Sequence, residues 1–151
     1  GLDEGQVRAK HPLPAQILAI VGAQGAGDGR RIDQAGEGRL ALPVAAGSDD
    51  PNSHIYADAR ARTKAFGDIE IVDLPSPGRV KVDGEIAAAS YMNFYIGNRV
   101  VVVPTYGVPN DQAAVDALAA LFPDRRAIGV PAQGIIVGGG SFHCSSQQLP
   151  A

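Results

Sequence analysis

Residues 99–130 read RVVVVPTYGVPNDQAAVDALAALFPDRRAIGV and combine two hydrophobic patterns. Residues 99–103 contain a run of four valines that predicts a short strand, which Pro104 closes. Residues 127–130 predict a second strand of the same kind. The segment between them has the spacing of a helix. A strand, a helix and a strand with short connections are typical of a mixed α/β fold.

The helix in this stretch has a recognisable beginning, buried face and end. Asn110 or Asp111 can cap its first turn. Pro123 stops it, because proline has no backbone N–H to donate. Its apolar residues recur three or four positions apart, which predicts one buried face made by Val115, Leu118 and either Leu121 or Phe122.

A second helix and strand precede this stretch. Asp49 or Asp50 can cap the helix, with Pro51 at its first position. Gly67 ends it. Residues 69–74 then predict a strand that Pro75 stops. The helical spacing assigns the buried face of the helix to Ile55, Ala59, Arg62 and Phe66.

The remaining elements are short. Asp83 and Gly84 predict a turn within residues 81–85. Residues 91–96 predict a strand that Gly97-Asn98 joins to the strand at 99–103. Residues 133–137 predict the last strand. Tyr91, Phe94 and Tyr95 form an aromatic cluster with Asn93, and we expect this cluster to pack in the core.

The composition is that of a single globular domain. The chain has 151 residues, of which 45% are apolar and 19% charged, and its net charge is −3. The absence of a Lys/Arg-rich run argues against nucleic acid and anionic membranes as partners. No apolar stretch is long enough to span a bilayer, and no signal peptide is recognisable. We therefore expect a cytoplasmic protein.

The only cysteine, Cys144, follows the glycine run 138–140 and His143. Glycines let backbone and substrate approach closely, and the polar residues after Cys144 can donate hydrogen bonds to a thiolate. A cysteine just past a predicted strand end is therefore a candidate nucleophile. Packing as a small hydrophobic residue is the alternative. A lone cysteine can build neither an internal disulfide nor a thiolate zinc site.

The other polar residues give weaker signals. Neighbours on an extended chain point in opposite directions, so His143 is a poor candidate for the base that activates Cys144. A place beside the substrate suits it better. We expect His54 at the surface and assign Asp116 to an exposed helix face. No pair of carboxylates has a spacing that argues for acid/base work or a metal site.

Residues 1–48 are hard to assign. A glycine-rich segment at 22–29 follows the apolar run 17–21, and such a loop can cradle phosphate. It lacks the Gly-Lys-Ser/Thr of a P-loop, and its spacing fits a dinucleotide-binding loop badly. A flexible loop is the alternative that we favour.

Four stretches from Ser48 onward resemble the agmatine deiminase family, also called the agmatine/Porphyromonas-type peptidylarginine deiminase family. They are DDPN at 49–52 leading to the strand before Pro77, SYMNFYI at 90–96, VVVP at 101–104 with its helix up to FPDR at 122–125, and GGGxxHCxxQQxP at 138–150. The resemblance assigns residues 48–151 to the C-terminal part of such a domain. It leaves residues 1–47 unmatched, with disorder as one alternative.

The resemblance implies a five-bladed α/β propeller of the guanidino-group-modifying type, of which this chain would supply about two blades. It implies a small guanidino substrate, agmatine, and no metal or organic cofactor. Assembly into a homo-oligomer stays open.

The resemblance also implies a chemistry. Cys144 would attack the guanidinium carbon, ammonia would leave, and water would release N-carbamoylputrescine, a precursor of putrescine, from a thiouronium intermediate. We expect Gly139, Gly140 and His143 to line the substrate site. Carboxylates must clamp the guanidinium N–H groups, and a His must protonate the leaving ammonia.

The chain departs from the family pattern near its beginning. The family's catalytic His lies in an Asp-Gly-His-hydrophobic-Asp segment, and the nearest equivalent here is DGRRID at 28–33, with Arg30 in place of His. We therefore expect an incomplete fragment or a degenerate copy. The alternatives are an arginine or peptidylarginine deiminase and a non-catalytic fragment that binds a partner.

Overall fold

A computed structural model of the chain describes residues 19–21, 39–65 and 70–146. In chain order its elements are β1 (Ala19–Val21), β2 (Arg39–Val44), α1 (Ser53–Ala65), β3 (Glu70–Pro75), β4 (Lys81–Val82), β5 (Glu85–Ile86), a 3₁₀ turn (Tyr91–Asn93), β6 (Tyr95–Ile96), β7 (Val100–Thr105), α2 (Asp111–Leu121), β8 (Arg126–Pro131) and the single-turn helix α3 (Gln133–Ile136). Within the described residues, no helix has both the length and the apolar composition needed to cross a membrane.

Two three-stranded sheets share one connectivity. In the first, β2 lies between β1 and β3, antiparallel to β1 and parallel to β3. In the second, β7 lies between β6 and β8 in the same two orientations. A helix joins each parallel pair, so the described residues contain two ββαβ units. The expectation of a mixed α/β fold is confirmed.

Strand β7 of the second unit is buried or half-buried along its whole length, which fits its apolar sequence. Val101 and Val103 in β7 are fully buried. Pro104 lies inside β7 rather than at its end, so the predicted end of this strand was wrong. The pairing with β6 stops at Val102, and beyond that residue the strand can accommodate a proline, which donates no hydrogen bond.

Helix α2 provides the centre of the core. Leu118 is fully buried, Phe122 is nearly so, and Val115 packs beside them, as the helical spacing predicts. Phe94 meets Phe122 edge to face, with ring centroids 5.9 Å apart. Leu74 of the first unit belongs to the same cluster, so the two units share one core.

The buried face of α1 differs from the prediction at one position. Ala59 is buried and Ile55 half-buried as expected, but Arg62 is exposed and forms an ion pair with Asp58. Thr63 is the buried residue instead, and its hydroxyl donates to the Ala59 carbonyl. Phe66 and Gly67, predicted at the end of this helix, lie outside the described residues.

Two of the predicted strands adopt other structures. Residues 133–137 were predicted as a strand but contain helix α3, because a short apolar run cannot be assigned by periodicity alone. Only Ile136 is buried there, whereas Ile135 and Val137 are exposed. The predicted strand 91–96 begins as a 3₁₀ turn, because the Ser90 hydroxyl accepts from the Met92 N–H.

The hairpin of β4 and β5 agrees with the predicted turn. Asp83 and Gly84 both have a positive φ, 51° and 84°. This backbone favours Gly and Asp and gives the tight turn that joins two antiparallel strands.

An aspartate organises the loop between β2 and α1. The Asp50 carboxylate is buried and accepts from the N–H groups of Ala46 and Asn52, at 3.0 and 2.9 Å. It is therefore Asp50, of the two aspartates considered, that holds the start of this helix.

A second aspartate holds the equivalent loop between β7 and α2. The Asp111 carboxylate accepts from the N–H groups of Tyr106, Gly107 and Val108 at 2.7–3.1 Å. It also accepts from the Tyr91 hydroxyl at 2.6 Å. Asp111 thus joins the second unit's loop and helix to the 3₁₀ turn.

The two units are connected at Ser76, which follows β3. The Ser76 N–H donates to the Val44 carbonyl at the end of β2, at 2.8 Å. The Ser76 carbonyl accepts from the Asn110 side-chain amide, also at 2.8 Å. Asn110, the residue before α2, therefore binds the chain just after the parallel strands β2 and β3 of the first unit.

Replacing Asp111 with Ala should lower the free energy of unfolding by on the order of 3 kcal/mol, because four donors lose a charged acceptor. Urea unfolding followed by circular dichroism measures this. Asp116→Ala is the matched control, since this carboxylate is exposed on the same helix and binds only Gln112 among the hydrogen bonds seen, at 2.9 Å. A cost within about 0.5 kcal/mol is expected there. Equal costs for the two variants would contradict the anchoring role of Asp111.

Candidate functional site

Cys144 lies in a turn that follows α3 and the glycine run. Its side chain is exposed to solvent. The thiol donates to Asn93 Oδ1, with 3.0 Å between sulfur and oxygen. A cysteine that serves only as a small hydrophobic core residue is usually buried, so this exposure argues against the packing alternative. The nucleophile role of Cys144 stays a prediction.

Gly140 is shaped by the cysteine itself. A Cβ atom at this position would lie 2.7 Å from Cys144 Cβ and 2.9 Å from Cys144 Sγ, closer than real Cβ atoms come. Only glycine lets the Cys144 side chain fold back over this stretch of backbone. Gly139 has φ +86°, a conformation that also favours glycine. The close approach at Gly140 is made by the Cys144 side chain.

His143 contributes its backbone rather than its ring to the observed contacts. Its N–H donates to the Asn93 carbonyl at 3.1 Å, and its own carbonyl accepts from the Ser146 hydroxyl at 2.9 Å. The side chain is exposed, so its ring is accessible to a ligand. A substrate-lining role for His143, Gly139 and Gly140 stays a prediction.

Asn93 is the residue that the sequence reasoning missed. It was grouped with an aromatic cluster expected to form core, and Tyr91 and Phe94 are indeed buried, while Tyr95 is 38% exposed. Asn93 itself is buried, yet its side chain and its carbonyl both bind the turn at residues 143–144. The available signal was a primary amide among aromatic residues, because a buried amide needs hydrogen-bond partners.

The buried phenol of Tyr106 lies near Cys144. The Tyr106 hydroxyl donates to the Ser90 carbonyl at 3.0 Å and accepts from the Ser90 N–H at 3.2 Å. Burial raises the pKa of Tyr106 to about 12, and the nearby Asp111 and Cys144 act in the same direction. The hydrogen bond from Ser90 and the adjacent Ser141 oppose this shift. Tyr106 is therefore uncharged at neutral pH.

Two further side chains complete this buried region. The Ser141 hydroxyl approaches Tyr106 but makes no hydrogen bond of normal geometry with the described residues. Burial, and next the hydrogen bond to the Asp111 carboxylate, raise the pKa of Tyr91. The polar groups of this buried region are thus the neutral phenols of Tyr106 and Tyr91, the Ser141 hydroxyl and the Asp111 carboxylate.

Metal binding finds no support among the described residues. No group of three or more His, Cys, Asp or Glu side chains lies close enough there to hold an ion. His54 is exposed, as expected. The segments 22–29 and 28–33 with Arg30, as well as Gln147 and Gln148, lie outside the described residues.

Comparison with known proteins gives a consistent result. The sequence profile of the Porphyromonas-type peptidyl-arginine deiminase family matches residues 32–150. This range includes β2 and begins before the Ser48 boundary drawn from the motifs. A curated Marinomonas sp. (strain MWYL1) protein named "Putative agmatine deiminase" is 36% identical over 75% of this chain and 37% of its own length.

Solved structures agree with the sequence comparison. The C. jejuni agmatine deiminase superposes with a TM-score of 0.67 and 27% identity, covering 72% of this chain and 34% of that enzyme. A Cys-to-Ser variant of the same enzyme with substrate bound gives 0.66 and 26%, over 72% of this chain and 32% of that one. The chain therefore spans about a third of the length of these relatives.

Gly140→Ala should lower the free energy of unfolding by about 1–3 kcal/mol, because the new methyl group overlaps Cys144. Gly138→Ala is the matched control in the same glycine run, since its Cβ would make only an ordinary 3.6 Å contact with the Ile135 carbonyl. Thermal unfolding of both variants measures the difference. A Gly140→Ala protein as stable as Gly138→Ala would contradict the observed packing of Cys144.

Alkaline pH should unfold the protein as Tyr106 ionises. Its pKa is 10.0 when unfolded and about 12 when folded, so the native state holds the phenol proton more tightly. The resulting stability, on the order of 2 kcal/mol, is complete below pH 10 and lost as the pH rises through 12. Tyrosinate absorbance and circular dichroism, recorded together, should change together. Tyrosines that all ionise near pH 10 in a still-native protein would refute this.

Proposed function

Because this chain belongs to the Porphyromonas-type peptidyl-arginine deiminase family, whose members are hydrolases that act on guanidino groups, we propose that it takes part in hydrolysing agmatine with Cys144 as the nucleophile. The observation that carries the proposal is the state of Cys144. It is exposed to solvent, yet its sulfur is held by Asn93 and packed against Gly140.

The reaction needs a positioned sulfur because a guanidinium is a resonance-stabilised cation and its carbon is a poor electrophile. Cys144 Sγ adds to this carbon and forms a C–S bond. The C–N bond to one terminal nitrogen breaks, and this nitrogen leaves as ammonia after protonation. A thiouronium remains on the enzyme. Water then adds to the same carbon and the C–S bond breaks, which releases N-carbamoylputrescine and restores the thiol.

A cationic substrate also favours this chemistry electrostatically. Its positive charge next to the sulfur stabilises a thiolate over a thiol. The nearby phenols of Tyr106 and Tyr91 keep their protons at pH 7, so they place no second anion beside the thiolate.

Two kinds of group complete such a reaction. Carboxylates clamp the guanidinium, and a His transfers the protons. Asp111 is engaged with Tyr91 and three backbone N–H groups, so it is poorly placed to clamp a guanidinium. We expect these groups to come from outside the described residues.

The two ββαβ units support a wider proposal about architecture. Repeats of one connectivity are what a propeller of α/β blades requires, and the chain contains two of them in succession. We propose that they are two blades of a five-bladed propeller, with residues 48–151 in the C-terminal part of the domain. Cys144 follows the second unit, where it can face a central site.

The names of the relatives suggest two candidate substrates. The C. jejuni relative is an agmatine deiminase, and its Cys-to-Ser variant binds substrate, which supports agmatine and a reacting cysteine here. The name of the family favours peptidyl-arginine as the second candidate. The two differ beyond the guanidinium, because agmatine ends in an amine where peptidyl-arginine continues into a peptide.

Incubation of the chain with agmatine should release ammonia and N-carbamoylputrescine in equal amounts. Cys144→Ser should lower kcat by at least about 10⁴-fold, because a hydroxyl is a far weaker nucleophile here. Acid quenching followed by intact-mass measurement should show an adduct of agmatine minus ammonia, on the wild type alone. Benzoyl-arginine amide in parallel tests peptidyl-arginine.

A control variant and the second substrate distinguish the possible results of this experiment. Ser146→Ala removes a hydroxyl from the same turn without touching the sulfur in the observed contacts, and it should retain turnover. Faster turnover of benzoyl-arginine amide than of agmatine would replace agmatine as substrate. A folded protein that gives neither ammonia nor an adduct would overturn the proposal.

A further inference from the structure

Asn93 makes two separate contacts with the turn that carries the nucleophile. Its side-chain Oδ1 accepts from the Cys144 thiol at 3.0 Å, and its backbone carbonyl accepts from the His143 N–H at 3.1 Å. One contact fixes the backbone just before the cysteine, and the other fixes the direction of its sulfur. The residue itself is only 1% exposed.

The backbone of Asn93 is itself held firmly. Its N–H donates to the Ser90 carbonyl at 3.2 Å, which closes the 3₁₀ turn. On one side the Tyr91 hydroxyl is bound to Asp111, and on the other Phe94 packs against Phe122. The amide is thus mounted on a turn that the core secures on both sides.

Gly140 and Asn93 affect the position of the sulfur in different ways. A cysteine side chain has three staggered positions about its Cα–Cβ bond. In the observed position, Sγ lies within 3 Å of the place of a Cβ at residue 140 and within hydrogen-bond distance of Asn93. The glycine makes this position sterically accessible, while the amide makes it favourable over the other two.

We propose that Asn93 is a positioning residue for Cys144, which selects the side-chain rotamer from which the sulfur attacks the guanidinium carbon. This role rests on the proposed function, since it concerns the same nucleophile. It requires that the rotamer preference exists before substrate binds, because the amide is already in place. Fixing the direction of attack raises the rate of the chemical step rather than the affinity for substrate.

The single cysteine makes the test direct. Protein labelled with ¹³C only at cysteine gives one set of Cys144 signals, and the couplings between its Hα and two Hβ protons report the rotamer. Wild type should give one large and one small coupling, or two small ones, as a single rotamer requires. Asn93→Leu, similar in size but without a polar group, should give intermediate, averaged couplings.

Two further variants keep the test decisive. Asn93→Ser is polar but too short to reach the sulfur, so it should also give averaged couplings if Asn93→Leu fails to fold. Asn110→Leu is the control, because it removes an asparagine side-chain hydrogen bond, to the Ser76 carbonyl, that does not involve Cys144. It should lower stability while the Cys144 couplings stay those of wild type.

Kinetics give an independent readout. With agmatine, Asn93→Ser should lower kcat by about 10- to 100-fold with KM within about twofold. A single rotamer in both Asn93 variants, or averaged couplings in the wild type, would overturn the proposal. Absence of turnover in the wild type would count against the proposed function alone, because the couplings need no substrate.

Discussion

The Asp111 carboxylate is the group on which most of the second unit depends. It accepts three backbone N–H groups from the loop after β7 and a hydroxyl from Tyr91. Hydrogen bonds to a charged acceptor are worth about 1.5–3 kcal/mol each, roughly twice a neutral one. They act here on three elements at once: the end of β7, the start of α2 and the 3₁₀ turn. Through Tyr91, the same carboxylate secures the turn that bears Asn93.

The first unit contains a similar carboxylate, that of Asp50, at the equivalent position. Asp50 holds the loop between β2 and α1 by two backbone N–H groups, as Asp111 holds its own loop. No tyrosine corresponding to Tyr91 donates to Asp50 among the hydrogen bonds of the described residues. The same kind of β-to-α connection thus occurs in both units. In the second, its carboxylate also binds Tyr91 in the turn that bears Asn93.

Local sequence patterns predicted the parts of the fold that local interactions determine. The valine run of β7 and the spacing of Leu118 and Phe122 have one interpretation each, and the structure confirms both. The predicted strand at 133–137 was wrong because its short apolar run, residues 135–137, fits a strand or a helical turn equally well. Only the tertiary contacts of Ile136 decide between them. The prediction that Arg62 lies on the buried face of α1 was wrong for a related reason. A small rotation of the helix places Thr63 inward instead.

The candidate site was predictable only in part, for the same reason. Cys144 and its glycines could be found because they are adjacent in sequence, whereas Asn93 could not be linked to them from sequence. Asn93 and Cys144 are 51 positions apart, so they meet only through the arrangement of β7, α2 and β8 between them. This separation has a consequence during synthesis. The amide that holds the sulfur leaves the ribosome well before the sulfur does, and neither can hold the other until the second unit has closed. The Cys144 thiol therefore gains its hydrogen bond to Asn93 late, only once the two segments have met in the folded structure.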